Sequence, residues 1–371
     1  MSNTLLTPSI IAKEALLQLE NNLVMANLVH TNYSNEFAKK GATVTIRKPA
    51  TFAASAFSTT VAAQNVTESS VQVVLDKYYD ITAAITSQEL SLNIVDFSEQ
   101  ILQPMMRAHA QNVDNQIMQA VYKTIAGHTA VSSTPAISDL ANLMAQLDLQ
   151  KCPPTDRRVV LHPVTYAKMA ALDAILHADK RGKPLTIEEY SIGRILGADF
   201  YMDQNIPAQT SSIADTAGAF SGAATAGATA ATIGALTNTE VVAAGDMFKV
   251  TGLNKGYLIL TGGTVGSTVC TVTFTPGLES AVADTTVVTF NGGKSSGFKT
   301  SLAFHKNAFA LVSRPLEPYL GGVSCAVETY KGISCRVAYE GTTSNKTNNM
   351  SVDMLFGVQT LDKDLAAKLL D

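Results

Sequence analysis

Charge is scarce in this 371-residue sequence: Asp, Glu, Lys and Arg make up 16% of it, where an ordinary soluble domain carries about 25%. So few ions leave apolar surface either to be covered by neighbouring molecules or to be carried by a slightly apolar monomer, and the first reading points to assembly. Concentrated basic stretches are missing as well. The formal net charge is -4 and the Lys and Arg residues are scattered, which argues against sequence-directed nucleic-acid binding, since that needs a dense basic face to neutralise phosphates. No apolar run reaches the roughly 18 residues a membrane span requires. The opening MSNTLLTPSIIAKEALLQLENNL lacks the basic start and small-residue cleavage site of a signal peptide, so the chain is expected to stay in the cytoplasm where it is made. The four cysteines, Cys152, Cys270, Cys325 and Cys335, form no CxxC pair. That removes zinc-ribbon and thioredoxin-type chemistry and leaves buried thiols as the reading.

The signatures of catalysis are missing too. Gly293-Lys294-Ser295 resembles the end of a phosphate-binding loop, but the glycine required five positions earlier is Val288, and the following SGFKTSLAFH does not start a helix. The glycine-rich run from Gly218 to Gly234 lacks the G-x-G-x-x-G spacing of a dinucleotide site. His30, His109, His128, His162, His177 and His305 fall at no spacing that sets two imidazoles on one metal. There is no G-x-S-x-G elbow. Glu188 and Glu189 are adjacent, which on a helix points them apart and denies them a shared acid and base role. The residues therefore name no catalytic, cofactor-binding or metal site.

What is present is an ordered, multi-domain composition. At 46% hydrophobic, with Phe and Tyr along the whole length, the chain can bury cores, and at this length two or three of them. Thr7 and Pro8 read as the cap and first residue of a helix through about Val24, with Ile10, Leu16, Leu17, Leu19 and Leu23 on its apolar side. Gly41 to Lys48 and Val71 to Leu75 have strand alternation and flank a polar excursion from Thr51 to Ser69, the pattern of a protruding loop that could lie on a neighbour. Asp96 and Glu99 make a capping box, after which Phe97, Ile101, Met105, Val113, Ile117, Val121 and Ile125 recur at multiples of four up to Gly127. These predict a helix of about 30 residues, roughly 45 Å long, with Pro104 marking a late start or a kink.

Further on, the spacing predicts helices over Ser138 to Leu149, Val164 to Ile175 and Ile187 to Leu196, with strands at Arg158 to Leu161 and Ala198 to Met202. Beyond Pro207 the composition changes. Residues 208 to 302 are rich in Gly, Ala, Ser and Thr and carry short alternating strands around Phe248, Cys270 and Val288, as an inserted all-β domain would. Within them Thr216 to Leu236 reads as a flexible loop or an alanine-rich helix. Strands of ordinary composition resume at Ala308 to Val312, Val327 to Tyr330, Ile333 to Tyr339 and Val352 to Val358.

Four segments, NTLLTPSIIAKEALLQLENNLVMANLVH, GATVTIRKP, SQELSLNIVDFSEQILQPMMRAHAQNVD and FHKNAFALVSRPLEP, closely resemble the major capsid proteins of tailed bacteriophages with the Hong Kong 97-type fold. The resemblance implies an α+β chain with an N-terminal arm at 1–35, an extended loop at 36–75, a peripheral domain with a long spine helix at 76–130 and an axial domain beginning at 131–207. A β-rich insertion at 208–302 and completion of the framework at 303–371 follow. It implies a non-enzymatic subunit that assembles with itself into hexamers and pentamers of an icosahedral shell around double-stranded DNA, with scaffolding protein and portal as partners and no membrane or sequence-specific DNA contact. The virion capsid, assembled in the host bacterial cytoplasm, is the implied location. Some members crosslink through Lys and Asn; Lys39, Lys40 and Lys48, with Asn345, Asn348 and Asn349, are candidates without an assignable role. An encapsulin-like compartment, which the insertion argues against, a soluble enzyme with a dispersed site and a secreted adhesin, weakened by the missing signal peptide, are the rival readings.

Overall fold

The computed structural model describes residues 8–31, 43–48, 52, 68–86, 98–132, 134–177, 189–291, 298–319, 324–330, 332–342 and 347–371. Helices α1 (Pro8–Asn22) and α2 (Met25–Leu28) come first. Strands β1 (Thr43–Lys48) and β2 (Ser69–Val74) then pair antiparallel from Thr43 opposite Val74 to Lys48 opposite Ser69. Their alternation turns Val44, Ile46 and Val73 toward a small core completed by Ala310, Val312 and Leu361. Strand β3 (Lys77–Thr86) and helix α3 (Gln103–Val121) follow. A π-helical turn over Ser98–Leu102 leads into α3 and a 3-10 turn over Tyr122–Thr124 ends it. Pro104 falls where the π-helical turn gives way to α3. The rod is helical without a break from Ser98 to Thr124, its middle 19 residues α-helical, and it stops at Ile125, which is already extended. Thr7 and the Asp96 to Phe97 start of the capping box lie outside the described residues.

Strands β4 (His128–Ala130), β5 (Arg157–Leu161), β6 (Arg194–Ile195), β7 (Ala198–Met202) and β8 (Ala208–Gln209) alternate with helices α4 (Ile137–Leu149), α5 (Pro163–Ala170) and α6 (Asp173–Leu176). The predicted helix over 164–175 is two short ones, broken at Leu172, whose ψ of 134° is extended. The predicted helix from Ile187 to Leu196 is corrected. Tyr190, Gly193 and Leu196 all take positive φ, which a helix excludes, and Arg194–Ile195 instead pairs with β7.

The insertion supplies β9 (Ala217–Phe220), β10 (Ala230–Gly234), β11 (Met247–Val250), β12 (Gly256–Thr261), β13 (Cys270–Thr275) and β14 (Val287–Phe290). They close into a barrel in the order β10-β13-β12-β11-β14-β9, with every pairing antiparallel. Thr216 to Leu236 is therefore neither loop nor helix: it contributes two barrel strands anchored by the buried Phe220 and Ile233. The chain leaves by β15 (Phe298–His305) and finishes with β16 (Phe309–Ser313), β17 (Ser324–Tyr330), β18 (Ile333–Thr342), β19 (Thr347–Thr360) and β20 (Ala366–Leu370). The boundary expected at 302 falls inside β15.

Two compact units result. One holds residues 1–21, 31–109 and 310–361, the other 22–30, 110–309 and 362–371. The first contains the β1–β2 ribbon and a five-stranded sheet ordered β16-β19-β18-β17, with β3 also on β19. The second contains a seven-stranded mixed sheet ordered β4-β20-β15-β5-β7-β6, with β8 on β15, and the closed barrel. Residues from α4, α5, β5, β7 and β20, including Leu143, Leu147, Val159, Met169, Phe200 and Leu369, form the core of the mixed sheet.

Candidate assembly surfaces

The polar groups that could have carried chemistry are spent on structure. His109 Nε2 donates to the Val352 carbonyl at 2.9 Å, and His128 Nδ1 donates to the Ala126 carbonyl at 2.9 Å. His162 and His305 accept the N–H groups of Val164 and Asn307 and so cap the turns they open. His177 faces Asp173 one helical turn away, at 2.9 Å. Cys152, Cys270 and Cys335 are buried, while Cys325 is half-buried and departs from the expectation of four hidden thiols. Burial pushes the Cys335 thiol up to about 12, which keeps it protonated and inert. Among the described residues no group of three His, Cys, Asp or Glu side chains converges as a metal would require, and no helix is long and apolar enough to cross a membrane. Gly293-Lys294-Ser295, Glu188, Lys39, Lys40 and Asn345 lie outside the described residues. Lys48 ends the ribbon, opposite Ser69, whereas Asn348 and Asn349 are inside β19, paired with Gly341 and Glu340 rather than on a loop.

Surfaces, rather than clefts, distinguish the first unit. Strand β3 alternates so that Tyr78, Asp80, Thr82 and Ala84 are exposed, and the first three, with Glu340, Asn349 and Ser351, line a groove of about 320 Å³. Its floor is fixed by one buried ion pair. Arg336 donates from Nε to Asp353 Oδ2 at 2.9 Å, to the hydroxyls of Tyr319 (2.8 Å) and Tyr78 (3.1 Å), and to the Glu317 carbonyl (2.9 Å). The guanidinium also lies 3.9 Å over the Tyr319 ring. Burial, reinforced by the Asp353 charge, pushes the Tyr319 hydroxyl up to about 12. Tyr78 nonetheless stays 51% exposed, a rigid aromatic on an open sheet face, of the residue type that anchors interfaces.

Helix α1 repeats the pattern. Ile11, Ala15, Leu16 and Leu19 are buried, and Ser9 Oγ donates to Glu328 at 3.0 Å. Ile10 and Leu17, read as part of the inward face, are 52% and 54% exposed. They lie seven residues apart, hence on one outward stripe. The sequence reading missed the β3 face altogether, although the strict alternation of KYYDITAAIT was its available signal.

The second unit is tied together internally. Asp114, fully buried on α3, accepts the N–H of Val24 at 2.9 Å and of Ala26 at 3.2 Å, pinning residues 22–30. Burial, with the nearby Asp203 charge next in weight, raises its carboxyl to about 7. The barrel meets the mixed sheet through Met247, Leu258, Ala126 and Leu370, with Phe298 packed beside them. Gln146 on α4 donates to the Asn254 carbonyl at 2.8 Å. Gly256 sits so tightly over His128 that a Cβ there would come within 2.4 Å of Nδ1.

A framework of helices, a mixed sheet and a second antiparallel sheet, with a closed barrel inserted, is the phage capsid fold. The chain belongs to the P22 coat protein (gene protein 5) family, whose model matches residues 2–255. It is thus a tailed-phage major capsid protein, a structural component of the virion capsid that assembles with copies of itself and is not an enzyme. Solved structures are similar in fold at low identity. Those from Mycobacterium phage Che8 (TM-score 0.54, 14% identity, 94% of this chain and 90% of that one), the capsid of cyanophage P-SCSP1u (0.53, 13%, 94% and 87%) and the capsid of Ralstonia phage GP4 (0.50, 8%, 92% and 86%) are examples. A comparison with curated protein sequences finds no match. The family match to a phage coat protein leaves the encapsulin-like reading unfavoured.

Proposed function

We propose that the subunit works through a division of the chain into an arm (1–35), an extended loop (36–75), a peripheral domain (76–130), an axial domain (131–207, completed by 303–371) and an insertion (208–302), each serving a different contact in an icosahedral shell. The β3 face, 51% exposed at Tyr78, is the observation that carries this reading, because a sheet face whose aromatic and polar side chains are uncovered among the described residues is suited to a neighbouring copy. Heterologous contacts of this kind close only through symmetry. Many of them, each weak, add up while staying reversible enough to correct errors during assembly.

Scaffolding protein and portal are the expected partners during assembly in the host cytoplasm, and the packaged DNA is enclosed without sequence-specific grip, in keeping with a net charge of -4. Negative-stain microscopy of the full chain, expressed with and without the scaffolding protein of the same phage, tests this. Closed shells of uniform size with the scaffold, and irregular shells or tubes without it, are the expected result. A strictly monomeric species at high concentration in both preparations contradicts it.

A further inference from the structure

The chain enters the barrel through Ala208–Ser212 and leaves it through Asn291 and Phe298, and between these crossings lies a polar pocket of about 260 Å³. Its hydrogen-bonding inventory is unbalanced. Gln209, 4% exposed, accepts from Thr300 Oγ1 at 2.7 Å through Oε1, which leaves its buried Nε2 without a partner. The buried Nδ2 of Asn291 is likewise unpartnered. An orphaned buried donor gives up its hydration with nothing in return, so two in one pocket call for an acceptor.

The charges around the pocket have the same sign of deficit. Lys123 lies over Gly245, its Cγ 3.4 Å from where a Cβ would stand, and directly behind the lining the fully buried Lys368 has its Nζ 3.2 Å from Met247 Sδ. Neither lysine has a carboxylate partner among the described residues. The carboxylate among the described lining residues, Asp246, already accepts from Ser211 Oγ, the Ser212 N–H and the Ala243 N–H, each at 2.9 Å. Water would satisfy the amides but would leave the Lys123 ammonium without a carboxylate partner among the described residues.

We propose that this pocket binds a small oxyanion, a phosphate or a carboxylate, held by Gln209 Nε2, Asn291 Nδ2 and the Lys123 ammonium, and that the bound anion braces the root of the barrel. A charge-assisted bond from Lys123 gives the site its preference for a negative group over water. Because the pocket belongs to the isolated chain, the proposal stands or falls independently of shell formation.

The test uses unassembled full-length subunit and two probes, inorganic phosphate and N-acetylglutamate methylamide, each against potassium chloride at matched ionic strength. Binding is read from the phosphorus-31 line width and from the shift in Tm. Saturable stabilisation by phosphate alone assigns a free ion, and by the blocked glutamate a polypeptide carboxylate. With either probe, Lys123→Met, at an exposed position that leaves the fold intact, and Asn291→Leu each weaken binding at least tenfold. No saturable response to either probe, or a response that both variants keep in full, overturns the proposal.

Discussion

The inserted barrel and the five-stranded sheet solve the same problem in opposite ways. Six strands close on themselves, so the barrel has no edge to offer, and its interior is filled by Phe248, Tyr257, Phe274 and Phe290, with ring centroids 5.3 to 6.3 Å apart around Phe248. The sheet instead leaves the β3 face open, and its one fully organised polar cluster, around Arg336 and Asp353, fixes the side chains that face outward. One region closes on itself and the other leaves an exposed face, a difference that matches the contact roles proposed above.

The largest expected effect comes from breaking the self-sufficient half. Phe248→Ala removes the ring that the other three pack against and should cost about 3–5 kcal/mol, whereas Tyr78→Ala on the exposed face should cost the unassembled subunit less than about 1 kcal/mol. Chemical denaturation of both variants checks the contrast, and equal losses would erase the distinction between the two regions.

A smaller effect tests the seam. Burial lowers Lys368 from 10.5 to about 7, so between those values the unfolded chain binds the proton that the folded chain has released. Stability therefore rises with pH across this window, by about 1.4 kcal/mol per unit at most, and the penalty is fully present below pH 7. Asp114, raised to about 7, loses its contribution as pH rises from 3.8 to 7 and adds little slope above that. The Cys335 thiol opposes the rise only above its ordinary value of 9.0. Denaturant midpoints between pH 7 and 9 should climb in the native chain and climb less steeply in Lys368→Met, where the burial-lowered Lys249 remains; a native chain that is flat over the same range contradicts the buried placement of Lys368.

Legibility in the sequence followed side-chain size. Strands with large alternating residues, such as those at Phe248, Cys270 and Val288, could be read because inside and outside differ visibly. AGAF and AATIG could not, since Ala, Gly and Thr mark neither face and only Phe220 and Ile233 are buried anchors. Strand β20 escaped notice because AAKLL places a lysine in the middle of a fully buried run, a local conflict that tertiary packing against Met247 overrides. The helix read over Ile187 to Leu196 failed for the converse reason. Its apolar spacing is real, but Gly193 and Gly197 take positive φ and turn the chain into a strand. Side chains at the assembly surfaces were hardest to see, because α1 carries apolar residues on both its buried and its exposed stripes and periodicity alone does not rank them.

Hydrogen exchange of unassembled subunits against closed shells tests the central contrast most directly. Strands β11–β13 of the barrel should exchange at the same rates in both states, while β1–β2, β3 and α1 should gain protection on assembly. Barrel strands that gain as much protection as the ribbon and β3, or a ribbon and β3 that gain none, would contradict the account.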